Sequence, residues 1–308
     1  MNAAADSGSV PVPCTASPAA EETRRHLALG TLTVRGRIPY ASNAVLFGEV
    51  EHEGITVPCV YKPVSGERPL WDFPDGTLAQ REVAAYEISR TTGWDLIPAT
   101  VLRDGPYGEG MCQAWVGGLP GSAPDEDAEA AEDAEGEEGE EEGEAVAAEG
   151  LLAVIEGVAP GAGWKTVGHV ETGGNRPALL VHADDERLRR LAVIDAVINN
   201  GDRKGGHLLP VPEGQLYAID HGVTFHVDDK LRTLLWGWAG EEITVEAAAA
   251  LRGLSSSLAD GAPLSVRMSA LITPAELEAL RKRIDALCKS GRHPLPGGDW
   301  PAIPWPPV

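Results

Sequence analysis

Two short apolar runs, at 208–211 and 216–219, are separated by a Pro-Glu-Gly turn, and this pattern most constrains the fold. Runs so short and so close pair only as a hairpin. The turn before it carries Asn199, Asn200, Gly201, Asp202, Arg203, Lys204 and His207; the turn after it carries Asp220, His221 and Gly222. A hairpin brings its two outer ends together, so Asp202 and Asp220 are expected to converge on one point. Two acids converging beside basic residues suit a divalent cation and a phosphate.

The flanking sequence predicts an α+β chain with a β-rich first half. Strands are expected over 29–34, 44–51 and 55–61, with a Glu-His-Glu-Gly turn at 51–54, then over 97–102 and 111–116. A helix is expected over 78–92, ending at Gly93, and another over 185–200, whose stripe includes Leu188, Leu191, Ile194, Asp195 and Ile198. The rest is expected to be helical, with Thr273 and Glu276 forming a capping box for a helix running to Lys289.

Charge is unevenly spread. Residues 125–149 hold fourteen acidic and no basic side chains, leaving about −8 of the net −22 for everything else. Such composition cannot bury enough apolar surface to offset its ordering entropy, so 121–150 reads as a disordered insert and 1–22 as a disordered tail. The remaining divisions are 23–120, 151–293 and a Pro- and Trp-rich strap at 294–308. There is no apolar run of membrane-spanning length, no basic-then-apolar leader and no Cys-x-x-Cys pair among the four cysteines, which predicts a cytoplasmic chain with reduced thiols. No nucleic-acid partner is expected, and the lack of a polybasic cluster weighs against recognition of a lipid surface.

Phosphoryl transfer needs a cation on the phosphates, a metal ligand, a group orienting the nucleophile and a backbone cover. Lys62 ends a strand, from which an ammonium can reach into a cleft; Glu82, twenty residues on, lies in the first helix, where it can hold that lysine. The turn at 36–43, with Gly36, Ser42 and Asn43, suits a phosphate-covering loop. Arg203 and Lys204 are candidates to neutralise transferred phosphate. His169, His182, His207 and His221 lack the i, i+4 spacing of a zinc helix and are expected to be scattered over the surface.

Val60 to Pro63, Arg81 to Tyr86, Gly201 to Leu209 and Ala218 to Gly222 together resemble a bacterial branch of the phosphatidylinositol 3-/4-kinase-related family. That branch is similar to type II phosphatidylinositol 4-kinases and more distantly to HipA-type kinases. The resemblance runs from about Leu29 to Gly240, outside the acidic insert. It implies a two-lobed, protein-kinase-like fold that uses ATP and Mg²⁺. It makes Lys62 the phosphate-binding lysine, Glu82 its partner, Asp202 the catalytic-loop aspartate, Asp220 the principal metal ligand, and Gln113, Ala114, Trp115 and Val116 the hinge beside adenine. The partners implied are a nucleotide and a hydroxyl-bearing acceptor, whether lipid, protein or small molecule.

The chain departs from the family at His207, where Asn is usual as second metal ligand. Neutral imidazole is a poorer Mg²⁺ ligand than an amide oxygen, so Mn²⁺ is an alternative, as is a contact from His207 to phosphate. Asp220-His221-Gly222 also lacks the Phe of Asp-Phe-Gly. Two further readings stay open: a nucleotide-binding pseudokinase, and nucleotidyl transfer on the same fold. A metallophosphoesterase would need an upstream Asp-x-His pair, which is missing.

Overall fold

The computed structural model describes residues 18–38, 44–68, 70–73, 77–119, 150–170, 176–298 and 300–307. Most of the acidic run, including all of 125–149, together with Ser42 and Asn43 of the proposed phosphate loop, lies outside them.

Helix α1 (Pro18–Leu29) opens the described chain, so the end of the expected tail is helical. The correction has a simple cause: Ala19 and Ala20 favour helix, and Leu27 at the other end is fully buried. Strands β1 (Thr31–Arg37), β2 (Leu46–His52) and β3 (Ile55–Pro63) follow as an antiparallel meander. The β2–β3 loop is Glu53-Gly54, both at positive φ (52° and 77°), the geometry a two-residue hairpin needs to match strand twist.

Helix α2 (Leu78–Thr92) comes next, and then β4 (Thr100–Gly105) and β5 (Gly108–Ala114), giving a five-stranded sheet in the order β1-β2-β3-β5-β4. At Gly110, β5 passes so near β3 that an added Cβ would sit 2.5 Å from the Lys62 carbonyl oxygen and 2.7 Å from Pro63 Cα. Nearly every residue of α2 is buried, including Val83, Ala84, Ala85 and Ile88. Removing the buried Ile88 side chain to alanine would cost about 2–5 kcal/mol.

Three strands that were not expected follow: β6 (Leu152–Glu156), β7 (Trp164–Val170) and β8 (Ala178–Ala183), in the antiparallel order β6-β8-β7. The second half therefore holds a three-stranded sheet besides the expected hairpin. Helix α3 (Glu186–Ile198) is capped by Asp185, which accepts from Arg187 N at 2.7 Å, and ends at Asn199 in the left-handed region. The predicted hairpin forms, as β9 (Leu208–Pro210) and β10 (Leu216–Ala218).

Helices α4 (Val245–Ser257), α5 (Pro263–Ser269) and α6 (Pro274–Ser290) complete the chain, and Thr273 and Glu276 form the expected capping box. The architecture is α+β, with a β-rich N-terminal region and helices toward the C-terminus. One continuous core runs from the sheet through α2 and α3 to α6. No described helix is long and apolar enough to cross a membrane.

Candidate functional site

Lys62 stands near the end of β3 with its ammonium 2.7 Å from Glu82 Oε1 and 3.0 Å from Asp220 Oδ1. These three residues come from the sheet, from α2 and from the turn after β10. Burial works against the Lys62 charge, yet the carboxylates of Asp220 and Glu82 outweigh it and hold its pKa above the ordinary value. Lys62 in turn holds Asp220 well below the usual carboxylate range. Burial pushes the Glu82 carboxyl up, against the pull of Lys62. Glu82 is 2% exposed, and its second oxygen accepts the His221 backbone N–H at 2.9 Å, so α2 is tied to the Asp220 turn through a single side chain. Asp220 has φ 60°, a left-handed conformation that Asp tolerates better than most residues.

Beneath this triad lies a buried ionic network. Arg203, expected beside transferred phosphate, is fully buried and cannot face a substrate. Its guanidinium grips Asp195 through Nε at 3.1 Å and Nη2 at 3.0 Å, donates to Ile219 O at 2.9 Å, and meets His221 Nε2 at 2.6 Å. Asp195 also accepts from Asn200 Nδ2 (2.9 Å) and Thr233 Oγ1 (3.3 Å), and Asn200 Oδ1 accepts the Asp202 backbone N–H at 3.0 Å. Arg203 is therefore a positioning residue: a buried guanidinium must be paired, and Asp195 supplies the pair. Asp195 was visible in the sequence as a charge inside an apolar helical stripe.

The histidines correct a second expectation. His182 and His221 are fully buried, while His169 is exposed. His182 spends both ring nitrogens on backbone, Nδ1 on Ala183 O (2.8 Å) and Nε2 on Gly237 N (3.0 Å). Because Arg203 donates to His221 Nε2, the neutral His221 ring carries its proton on Nδ1, facing Glu82 at 3.9 Å. Burial, reinforced by Arg203, pushes the His221 pKa well below its ordinary value.

His207 Nε2 lies 3.5 Å from Asp220 Oδ2, and its Nδ1 accepts the Lys204 backbone N–H at 3.4 Å. Burial lowers its pKa, and with Nδ1 accepting, the neutral ring turns an N–H toward Asp220. Among the described residues no group of three or more His, Cys, Asp or Glu is arranged to hold a metal ion. A Mg²⁺ site of one or two carboxylates completed by substrate phosphates needs no such group, and Asp220, half-exposed and firmly ionised, fits that role.

Asp202 and Lys204 lie together at the front of the turn, Nζ to Oδ2 3.6 Å, both partly exposed. The expected hinge is less available. The Gln113 side chain is buried and donates to Thr100 Oγ1 at 2.9 Å; the N–H groups of Ala114 and Trp115 are taken by Ala99 O and Pro58 O. The Trp115 indole packs edge-on to Phe47 and donates to Gly118 O. Val116 alone of the four makes no hydrogen bond among the described residues. The C-terminal strap reaches the site: Ala302 O accepts from Trp236 Nε1 and Thr233 N, and Pro307 O accepts the Gly205 N–H at 2.9 Å. Trp300 packs, whereas Trp305 is 79% exposed.

No family model matches the chain. It is 46% identical over 280 residues to Protein Rv2133c of Mycobacterium tuberculosis (strain ATCC 25618 / H37Rv), an alignment that spans 91% of this chain and 93% of that protein. The chain belongs to the family of that protein.

Proposed function

We propose that this protein is an ATP- and divalent-metal-dependent phosphotransferase with a kinase-like, two-lobed arrangement, similar in its site to the phosphatidylinositol 3-/4-kinase-related group. The observation that carries the reading is Lys62 held between Glu82 and Asp220. Such a constellation, drawn from a sheet, the helix packed on it and a turn beyond, fixes an ammonium where nucleotide phosphates would lie. Glu82 fixes Lys62, and Lys62 binds phosphate oxygens. Asp220 would hold a divalent cation, which supplies charge neutralisation on the phosphates.

Asp202 orients the acceptor hydroxyl and takes its proton as the acceptor oxygen bonds to the γ-phosphorus. The bond from that phosphorus to the bridging oxygen breaks, and ADP leaves. Asp195 and Arg203 set the height of the Asp202 turn without touching substrate. Val116 offers a backbone N–H to the base.

The test is ATP consumption with Mg²⁺ or Mn²⁺ by wild type, Asp202→Ala and Asp220→Ala, with the nucleotide product identified. ADP from wild type and its loss in both variants is expected, with melting temperature retained in Asp202→Ala, whose side chain is partly exposed, and modestly lowered in Asp220→Ala, because alanine takes φ 60° less readily than Asp. AMP with pyrophosphate would make the reaction nucleotidyl transfer, and turnover unchanged in Asp220→Ala would refute the site. A second reading, nucleotide binding without transfer, is favoured by His207 standing where Asn, a second metal ligand, is usual; tight ATP binding with no product would establish it.

A further inference from the structure

Beside Asp202 a cavity of about 250 Å³ opens between the 70–73 segment, the Asp202 turn and the start of the strap. Its walls include Asp202, Arg232, Lys230, Asp72, Trp71 and Trp300. Lys230 is already neutralised: its ammonium is 2.9 Å from Asp72 Oδ2 and lies over the indoles of Trp71 (4.7 Å) and Trp300 (4.6 Å). That arrangement braces the wall and leaves two aromatic surfaces along it.

Arg232 is different. Its backbone is fixed on both sides of the Asp202 turn, donating to Asn200 O at 2.9 Å and accepting from Arg203 N at 3.0 Å. Its side chain is half-buried, its Nε is shut off from solvent without a hydrogen bond, and no ion pair engages its guanidinium among the described residues. This occurs in a chain where acids outnumber bases by twenty-two. A desolvated donor left unpaired is costly, and a guanidinium fork matches carboxylate and phosphate oxygens two at a time. The cavity is below the usual size of a drug-sized site, roughly 300–1,000 Å³, so its occupant is small.

We infer that this cavity is the acceptor site and that Arg232 selects an acceptor carrying an anionic group, such as a phosphate, a few atoms from the hydroxyl presented to Asp202. The inference rests on the phosphotransferase reading for the role of Asp202, but the anion site itself is testable without turnover. The shared chemistry is a phosphate next to a free hydroxyl, found in small phosphorylated polyols and in glycerol-type lipid headgroups alike.

Inorganic phosphate titrated into the full chain, followed through tryptophan fluorescence because Trp71 and Trp300 line the cavity, is expected to bind saturably to wild type. Arg232→Gln should weaken that binding about tenfold or more, and Arg232→Lys, which keeps charge but not the fork, should weaken it less. ATP titration should give the opposite pattern, weakened in Lys62→Met and unchanged in Arg232→Gln. Glycerol 3-phosphate should bind more tightly than phosphate, and glycerol not at all. Co-sedimentation separates the two sources: capture by phosphatidylglycerol but not phosphatidylcholine vesicles, lost in Arg232→Gln, identifies a lipid headgroup, and phosphate binding without such capture identifies a free metabolite.

Phosphate affinity equal in Arg232→Gln and wild type, or no saturable binding in wild type, overturns the inference. So does ATP affinity that falls in Arg232→Gln while phosphate affinity does not. ATP affinity indifferent to Lys62→Met overturns the phosphotransferase reading and leaves the anion site standing.

Discussion

Asp195 touches no expected ligand, yet its removal should disable the site more thoroughly than that of most exposed residues. It is fully buried and takes four donors: Arg203 Nε and Nη2, Asn200 Nδ2 and Thr233 Oγ1, at 2.9 to 3.3 Å. Asp195→Asn keeps the shape, cancels the charge facing a guanidinium that has no route to water, and turns one amide N–H₂ toward existing donors. Breaking a buried pair from one side costs about 3–5 kcal/mol. At roughly 2–4 °C per kcal/mol for a chain of this size class, the melting temperature should fall by roughly 10 °C. Urea unfolding of Asp195→Asn, Arg203→Met and the double variant closes the cycle, and a coupling of about 2–3 kcal/mol is expected because the double variant no longer strands a charge. Because Asn200 carries the effect to the Asp202 N–H, turnover should fall in Asp195→Asn while ATP affinity holds. A cost below about 1 kcal/mol for Asp195→Asn, or strictly additive single variants, would refute the claim that this ion pair builds the turn.

Acid should destabilise the protein through buried neutral histidines. Burial brings His293 down to about 4, with Arg189 adding to the effect; between the unfolded value near 6.5 and that figure the unfolded chain binds a proton that the native one does not, so stability rises with pH there. Roughly 3 kcal/mol should be lost as pH falls through that window, and His293→Phe should show a correspondingly shallower slope in urea unfolding followed from pH 7 to 4; an unchanged slope would exclude His293 as its source. Gly110→Ala should cost about 1–3 kcal/mol, since its Cβ meets the backbone of Lys62 and Pro63, and should weaken ATP binding by shifting Lys62; a melting curve identical to wild type would show that β5 moves freely there.

Much of the scaffold was legible. Helix α2 occupies 78–92 as read from its stripe and the following glycine, and the capping box at Thr273 starts α6, because both signals are local. Lys62, Glu82 and Asp220 meet, although 158 residues separate the first from the last, because each sits at the end or inner face of an element that could be read. The sheet β6-β8-β7 escaped because its middle strand opens on Ala178–Val181, a continuous apolar run without alternation, which suits a strand buried on both faces but equally a buried helix. The direction of Arg203 escaped for another reason: a turn has no period to say which side chain points inward. Arg232 and the Trp71–Trp300 wall had no local signal at all, since they come from three distant segments.

Arg81, one residue before Glu82, is 3% exposed; it donates to Glu276 Oε1 at 2.5 Å and to Thr224 O at 2.6 Å, with Phe73 beneath its guanidinium. Glu276 is also the carboxylate that closes the cap of α6 on Thr273. Swinging α2 outward, the motion that would part Glu82 from Lys62, must therefore break the Arg81 ion pair with Glu276 and its hydrogen bond to Thr224 O. The helix is bolted to the C-terminal half of the chain, so the Lys62–Glu82 contact is set by the same packing that seats α6. Hydrogen exchange at the α2 amides should then be slow and the same with or without nucleotide; marked protection on adding ATP would show that the bolt slides.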